Sequence, residues 1–402
     1  MVVVGFAVRV AFLLITRSYR VDGHWQIWEM SEIGQSLAFG FGFASPWGGG
    51  TGPTAWTAPV YPFMVAGVLR LFGRTDAAAF TLFTINSIFS ALTCWTIYRI
   101  GLRVFNRRVA AWSGWAWALF PWAIYWSVEW IWETTLSTFL LSLLFLLTLE
   151  MEGDNRLWSW FRYGALWGFV ALCNTSILSF LPFAGCWLAY RLYKAGKPFL
   201  RPVLLSALLF WAVITPWLVR NYVVFHKFIF IRSDFGSELR AGNNPEAVGT
   251  WVQHYRVGNN YVLFNQYRQM GEVSFDAEQG RLAKQWIAEN PRRFLWLCYR
   301  RVYFFWTGWP ERETQRIQPI FIFLSLLGIG GLLAALRRRI HGVFLFASLL
   351  AFYPLVYYMV FPTDRYHHPI EPILMVLSVW LLLTDRAAGK RDKSPPHQAV
   401  AQ

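Results

Sequence analysis

The sequence predicts an all-α polytopic membrane protein of about ten transmembrane helices, with outer helices beside the membrane and a small helical outer subdomain. Three observations predict it. Of 402 residues, 56% are hydrophobic and only 15% charged, where a soluble domain carries about 25% charged residues. The apolar residues arrive in blocks such as STFLLSLLFLLTL before Glu150 and VLLSALLFWAVI from Val203, approaching the roughly 20 residues that cross a bilayer. The net charge of +15 gathers largely in short connectors, where it reads as a topology signal rather than a nucleic-acid surface.

Spans are predicted at 1–16, 80–100, 109–128, 134–149, 163–176, 177–192, 203–218, 318–336, 342–361 and 368–384. The first has no cationic stretch before it and no small-residue cleavage pattern after it, so it reads as a retained span rather than a signal peptide. Cys94, Cys173, Cys186 and Cys298 lie far apart and give neither a disulfide framework nor a zinc spacing.

Four cationic clusters occupy the connectors: Arg103, Arg107 and Arg108; Arg191, Lys194, Lys197 and Arg201; Arg337, Arg338 and Arg339; and Arg386, Lys390, Arg391 and Lys393. Counting spans puts all four on one side, which the positive-inside rule makes cytoplasmic. Segments 129–133, 219–317 and 362–367 then face outward. The organisation that follows is a transmembrane module over 1–218 with a first outer loop at 17–79, an extracytoplasmic loop and helical subdomain over 219–317, C-terminal transmembrane helices over 318–385, and a disordered cytoplasmic tail over 386–402. The block APVYPFMVAGVLRLFG, 58–73, has two readings from its residues alone. It lies along the interface, or it crosses and flips the N-terminus outward, as Arg17 and Arg20 mildly favour.

The first outer loop holds the most informative stretch. Asp22, Glu29 and Glu32 follow the first span directly, and a glycine-rich run from Gly40 to Gly52, broken by Pro46, comes next. If 25–38 is helical, Glu29 and Glu32 share a face at i and i+3. Two such carboxylates can raise each other's proton affinity, hold a divalent cation, or divide the work of general base and positioning. The competing reading is a solvated acidic face. A second pair, Glu129 and Glu133, stands at i and i+4 among Trp126, Trp130 and Trp132 where a span emerges. Carboxylates there are costly unless paired or used, the alternative being a polar anchor at a helix end.

Near the C-terminus, FPTDRYHHPIEP brings Asp364, Arg365, Tyr366, His367, His368 and Glu371 beside the last span. Arg365 suits a forked contact to phosphate. Two adjacent histidines do not project together, so they make a weak metal site by themselves. Arg300 and Arg301 could act like Arg365 or simply snorkel to the interface. Asn243, Asn244 and Pro245 suggest a docking loop folding back over the membrane face, and DAEQGRLAKQWIAENP a helix stopped at Pro291. No Walker loop, dinucleotide fingerprint, serine elbow or HExxH motif is present.

The order of an acidic motif after the first span, GFASP…GPTAW…PVYPFMVAGVLRLFG, WALFPWAIYWSVEWIWE, PWLVRNY, GNNPEAVGTW and RYHHPIEP resembles bacterial membrane glycosyltransferases of the GT-C superfamily. The branch is that of protein O-mannosyltransferases and the lipid A aminoarabinose transferase, and the resemblance runs over roughly residues 1–384. It implies a GT-C-like bundle in the inner membrane, an outward-facing active site, a polyprenyl-phosphate sugar donor, and a protein, lipid or glycan acceptor in the cell envelope. It also implies that 58–73 is a juxtamembrane helix. The family's first-loop acid maps onto Glu29, in WEMSEIGQSLA, with Asp22 the alternative and the role of Glu32 open. Glu129 or Glu133 takes the place of the second acid. No DxD or adjacent acidic pair stands in either place, which leaves a divalent metal ion an open cofactor. The expected chemistry is inverting transfer, with Glu29 as base and Arg365, Tyr366, His367, Arg300 and Arg301 as donor-phosphate ligands. A transporter or lipid flippase predicts inverted repeats and mid-membrane charges, and apart from Arg9 the charges sit at span ends. A glycan polymerase or ligase would use a diphosphate-linked donor.

Overall fold

The computed structural model describes residues 1–21, 28–308 and 318–391, the side chains of 318 and 385–391 excepted. Among the described residues no strand forms beyond an isolated bridge between Ala44 and Pro53. The first helices are α1 (Val2–Thr16), α2 (Glu29–Ala38), α3 (Val60–Phe72) and α4 (Asp76–Val104). After them come α5 (Arg107–Ala118), α6 (Pro121–Val128), α7 (Thr134–Glu150), α8 (Leu157–Ala171), α9 (Leu181–Lys194) and α10 (Leu200–Phe225). The second long loop supplies α11 (Phe235–Gly242), α12 (Tyr261–Met270), α13 (Glu272–Glu289) and α14 (Pro291–Thr307). The chain closes with α15 (Gln318–Arg337), α16 (Val343–Phe352), α17 (Leu355–Met359), α18 (Asp364–His367) and α19 (Glu371–Arg391).

Every predicted span falls on helix, and four helical segments, Asp76–Val104, Leu200–Phe225, Pro319–Arg337 and Asp364–Thr384, are long and apolar enough to cross a membrane. Three predicted spans are broken, among them 163–176, where α8 ends at Ala171 and a 3-10 helix starts at Thr175. Segment 109–128 divides at Phe120, because Pro121 has no N–H to donate backward and its ring excludes a continuous helix. Segment 342–361 divides at Tyr353–Pro354 for the same reason. The helix of the last span continues to Arg391, so 386–391 is helical where disorder was expected. Residues 392–402 of that tail lie outside the described residues.

The break at Pro121 explains the burial of Arg9, which is 0% exposed. At the end of α5 the carbonyl of Ala118 loses its helical donor and that of Trp117 keeps only a tightened bond from Phe120 N at 3.2 Å, and Arg9 supplies further donors. Its Nη1 donates to Ala118 O at 3.0 Å and to Gly5 O at 2.8 Å, Nη2 to Trp117 O at 3.3 Å, and Nε to Ser90 Oγ at 2.7 Å. Elsewhere helices approach closely through glycine. A Cβ on Gly164 of α8 would lie 2.2 Å from Ser206 O of α10, and one on Gly331 of α15 would lie 2.4 Å from Leu377 O of α19.

Helix α3 has 13 residues and rises only about 20 Å, short of the roughly 30 Å hydrocarbon core. It packs on α2, where a Cβ on Gly34 would meet Val65 Cγ1 at 2.5 Å. The two form a helical hairpin.

The second loop is tied down by buried polar groups. Glu272, the first residue of α13, accepts bonds from Ala55 N at 2.6 Å, Ser233 Oγ at 2.6 Å, Tyr267 OH at 2.6 Å and Thr54 Oγ1. Asp276 caps α11 through Gly236 N at 3.0 Å and Ser237 N at 2.7 Å. Asn243 Nδ2 donates to Leu239 O and Met359 O, which docks the loop after α11 onto the end of α17.

Candidate active site

One cavity of about 250 Å³ gathers residues from both long loops and from three helix starts. Its charged lining is Glu29, Glu133, Asp234, Glu238, Arg232, Arg256 and Arg365. Glu133 comes from the start of α7, Ser176 from the turn before α9, and Arg365 from α18. Each of these helical units carries its cationic cluster or C-terminal end away from the cavity. The cavity therefore lies at the end of the bundle opposite the arginine-rich connectors.

Local structure brings the two acids together. Trp28, extended at φ −93° and ψ 157°, precedes α2, and its ring packs 5.5 Å from Trp130 and 5.3 Å from Trp132. That contact seats the start of α2, and so Glu29, against the 129–133 turn. Asn86 Nδ2 holds the turn through Trp130 O at 3.2 Å and meets Tyr61 OH at 3.0 Å. Glu133 then stands at the N-cap position of α7, where backbone dipoles favour a negative group.

Glu29 and Glu133 are 5% and 6% exposed. Glu29 Oε1 accepts from Arg256 Nη2 at 2.9 Å, while Glu29 Oε2 and Glu133 Oε2 have no partner among the described residues. Arg365 lies with its guanidinium carbon 3.8 Å over the Trp132 ring. Its Nη2 donates to Tyr366 OH at 2.9 Å, and its Nη1 is buried without a partner. Two carboxylate oxygens and one guanidinium N–H are thus desolvated and unused, a costly arrangement unless a ligand completes it.

The remaining charges tune the cavity. Arg232 pairs with Asp234 and donates to Trp56 O at 3.2 Å. Burial pushes the Asp234 carboxyl up to about 6 against the opposing charge of Arg232. It pushes Glu238 up to about 7, with Arg256 opposing. Burial also raises Glu133, which Arg365 and Arg232 partly offset. Cations already face these acids. Among the described residues, no group of three His, Cys, Asp or Glu side chains is set to hold a metal ion.

The other sequence candidates fall elsewhere. Glu32, one turn after Glu29, lines a separate cleft of about 460 Å³ beside the glycine loop, accepts from Gln35 Nε2 at 3.2 Å, and is raised by burial. The face it was expected to share with Glu29 is therefore split between two cavities. Glu129 accepts from Ser18 Oγ at 2.7 Å, outside the cavity. Asp22 lies outside the described residues. His367 is fully buried below the site, its Nδ1 3.1 Å from Glu371 Oε1, and His368 Nδ1 is 2.6 Å from Glu371 Oε2. Arg301 does not reach the cavity, because its donors go to Gly242 O at 2.5 Å, Met359 O at 2.8 Å, Tyr358 O at 3.3 Å and Asn243 Oδ1 at 3.2 Å. Arg300 stacks instead on Trp296 and Phe304, at 4.8 and 5.0 Å. Of the phosphate candidates only Arg365 and Tyr366 line the cavity. Sequence reasoning missed Arg232, Asp234, Glu238 and Arg256.

Residues 56–219 match the model of the dolichyl-phosphate-mannose-protein mannosyltransferase family. The chain is similar to the archaeal oligosaccharyltransferase AglB from Archaeoglobus fulgidus, solved in complex with an inhibitory peptide and a dolichol-phosphate. The TM-score is 0.53 at 12% identity, covering 100% of this chain and 52% of AglB. It is also similar to ArnT from Cupriavidus metallidurans in the apo state, with a TM-score of 0.50 at 14% identity, covering 96% of this chain and 61% of ArnT. The chain thus spans about half the length of AglB and less than two thirds of ArnT. No curated protein sequence matches it significantly. Residues 56–219, from the first loop through the following helices, are thus similar to that mannosyltransferase family, and the chain shares its fold with AglB and ArnT over almost its whole length.

Proposed function

We propose that this protein transfers a sugar from a polyprenyl-phosphate donor to an acceptor on the extracytoplasmic side of the inner membrane, with inversion at the anomeric carbon. The reading is carried by one observation: Glu29 Oε2, Glu133 Oε2 and Arg365 Nη1 are buried and unpartnered in a single cavity. A neutral substrate would leave the cation unmatched, and an anion alone would leave the acids unmatched. A phosphate-bearing donor together with a hydroxyl or amine acceptor uses all three.

In this reading Arg365 receives the donor phosphate. Contact with Trp132 and the bond from Nη2 to Tyr366 OH hold its guanidinium in place and leave Nη1 for an anionic oxygen. Departure of a phosphate needs little acid assistance, because the leaving group is stable as an anion. Glu29 Oε2 takes the acceptor proton as the acceptor oxygen or nitrogen attacks the anomeric carbon from the face opposite the phosphate. Glu133 orients the acceptor or supports the growing positive charge at the sugar ring. The positive-inside pattern supports an outward-facing cavity, since the cavity lies opposite the cationic connectors.

The test is to incubate the purified chain with synthetic polyprenyl-phosphate hexoses and pentoses and an envelope extract as acceptor, then measure free polyprenyl phosphate. Release of lipid phosphate with label in the acceptor supports the reading. Consumption of a diphosphate-linked oligosaccharide alone would assign it to a polymerase or ligase. Movement of intact donor across vesicles without transfer would assign it to a flippase.

A further inference from the structure

We propose that Arg256 is the positioning residue of Glu29, an inference that rests on the reading of Glu29 as the base. Glu29 has one hydrogen bond among the described residues, from Arg256 Nη2 to Oε1 at 2.9 Å. The other oxygen, Oε2, is the one that is buried and unpartnered. Arg256 therefore decides which oxygen is held and which is offered to an acceptor. A guanidinium suits this task, since it is always charged and bonds a carboxylate in a fixed plane without giving up its proton.

The second contribution is electrostatic. Glu133 and Glu238 are both pushed up by the charge of Glu29 among other causes, so three carboxylates repel one another around the cavity. Arg256 is the cation bonded to the first of them and opposes the rise at the third. Its own position is fixed on three sides. The guanidinium carbon lies 5.0 Å over the Trp251 ring. The residue is extended between two single-turn 3-10 helices, Gln253–Tyr255 and Val257–Asn259. Val257 is buried with Trp56, Tyr267 and Phe275, and Gly258 sits so close to Trp47 that a Cβ would lie 2.9 Å from Cε3. The second long loop thereby reaches into the first and sets the acid there.

Arg256 acts through Glu29, not on the donor phosphate, and the two roles separate kinetically. Arg256→Met and Arg256→Lys are compared with the parent for kcat and for KM of a polyprenyl-phosphate sugar. Positioning predicts that Arg256→Met lowers kcat on the order of 10²-fold with KM changed less than about threefold, and that Arg256→Lys recovers part of kcat. In a Glu29→Gln background, Arg256→Met should cost little more, because the two act as a unit. A rise in KM with kcat held, or a fully additive double variant, overturns the proposal while leaving the base assignment intact. Unchanged transfer by Glu29→Gln alone overturns the base assignment itself. If Arg256→Met does not fold, as judged by its melting in detergent, Arg256→Lys carries the same test through its split between kcat and KM.

Discussion

The guanidinium of Arg365 lies over the indole of Trp132, its carbon 3.8 Å from the ring centroid. Trp132 is the residue before Glu133, so this one stacking contact couples the cation and an acid of the cavity. It joins the turn after α6 to the start of α18, two segments more than 200 residues apart in sequence.

That geometry predicts unequal effects of two substitutions at Arg365. Arg365→Ala should raise KM for the donor on the order of 10- to 100-fold, the value of a charge-assisted hydrogen bond to an anion. Arg365→Lys keeps the charge but neither stacks nor presents a planar edge, and should recover only a fraction. Donor titrations of both variants check this; full recovery by lysine would mean that charge alone suffices.

Arg9 should matter for stability rather than transfer. Arg9→Leu leaves Ala118 O without a donor at the α5–α6 break, at about 1–3 kcal/mol for a buried acceptor, and takes one of two donors from Trp117 O, which keeps Phe120 N. Removal of a buried charge offsets part of that, so the expected net loss is on the order of 1 kcal/mol. Thermal melting in detergent measures it, and an unchanged melt would show that the break is satisfied some other way.

Asp276 should make the outer subdomain less stable as pH rises. Its carboxyl is pushed up to about 6, mainly by burial, from an ordinary 3.8. Between those values the folded chain keeps a proton that the unfolded chain has released. The stabilisation from this group is complete below pH 3.8 and lost as pH passes through 6, a change on the order of 2–3 kcal/mol. Asp276→Asn should flatten the fall in melting temperature between about pH 4 and 6.5. The same slope in that variant would remove Asp276 as its cause.

The proposed sidedness is open to labelling in intact cells. With Cys186 and Cys298 replaced, a cysteine at the exposed Phe41 should react with a membrane-impermeant maleimide, and one at Arg107 should not. The opposite pattern would reverse the topology.

The fold and part of the candidate site were legible because charges are rare in this chain. Where apolar blocks dominate, Glu29, Glu133 and Arg365 stand out at span ends, and burial in one cavity follows from their desolvation cost. Arg232, Glu238 and Arg256 did not stand out because the 219–317 loop has many charges. Their convergence depends on tertiary seating by Val257 and Glu272. Arg301 looked like Arg365 in sequence, and only the fold reveals main-chain carbonyls around it. Two signals were present and unread. Pro121 and Pro354 mark two of the broken spans, and Glu371 stands at i+4 from His367 and i+3 from His368, the spacing that buries all three together.

The most direct measurement of the central claim is the single-turnover rate of sugar transfer from a polyprenyl-phosphate donor by Glu29→Gln. Glutamine keeps the size of the side chain and can still face Arg256 through its carbonyl oxygen, but cannot accept a proton at Oε2. The account predicts a loss on the order of 10²- to 10⁴-fold, with donor binding and melting temperature unchanged. Transfer at the parent rate would contradict it.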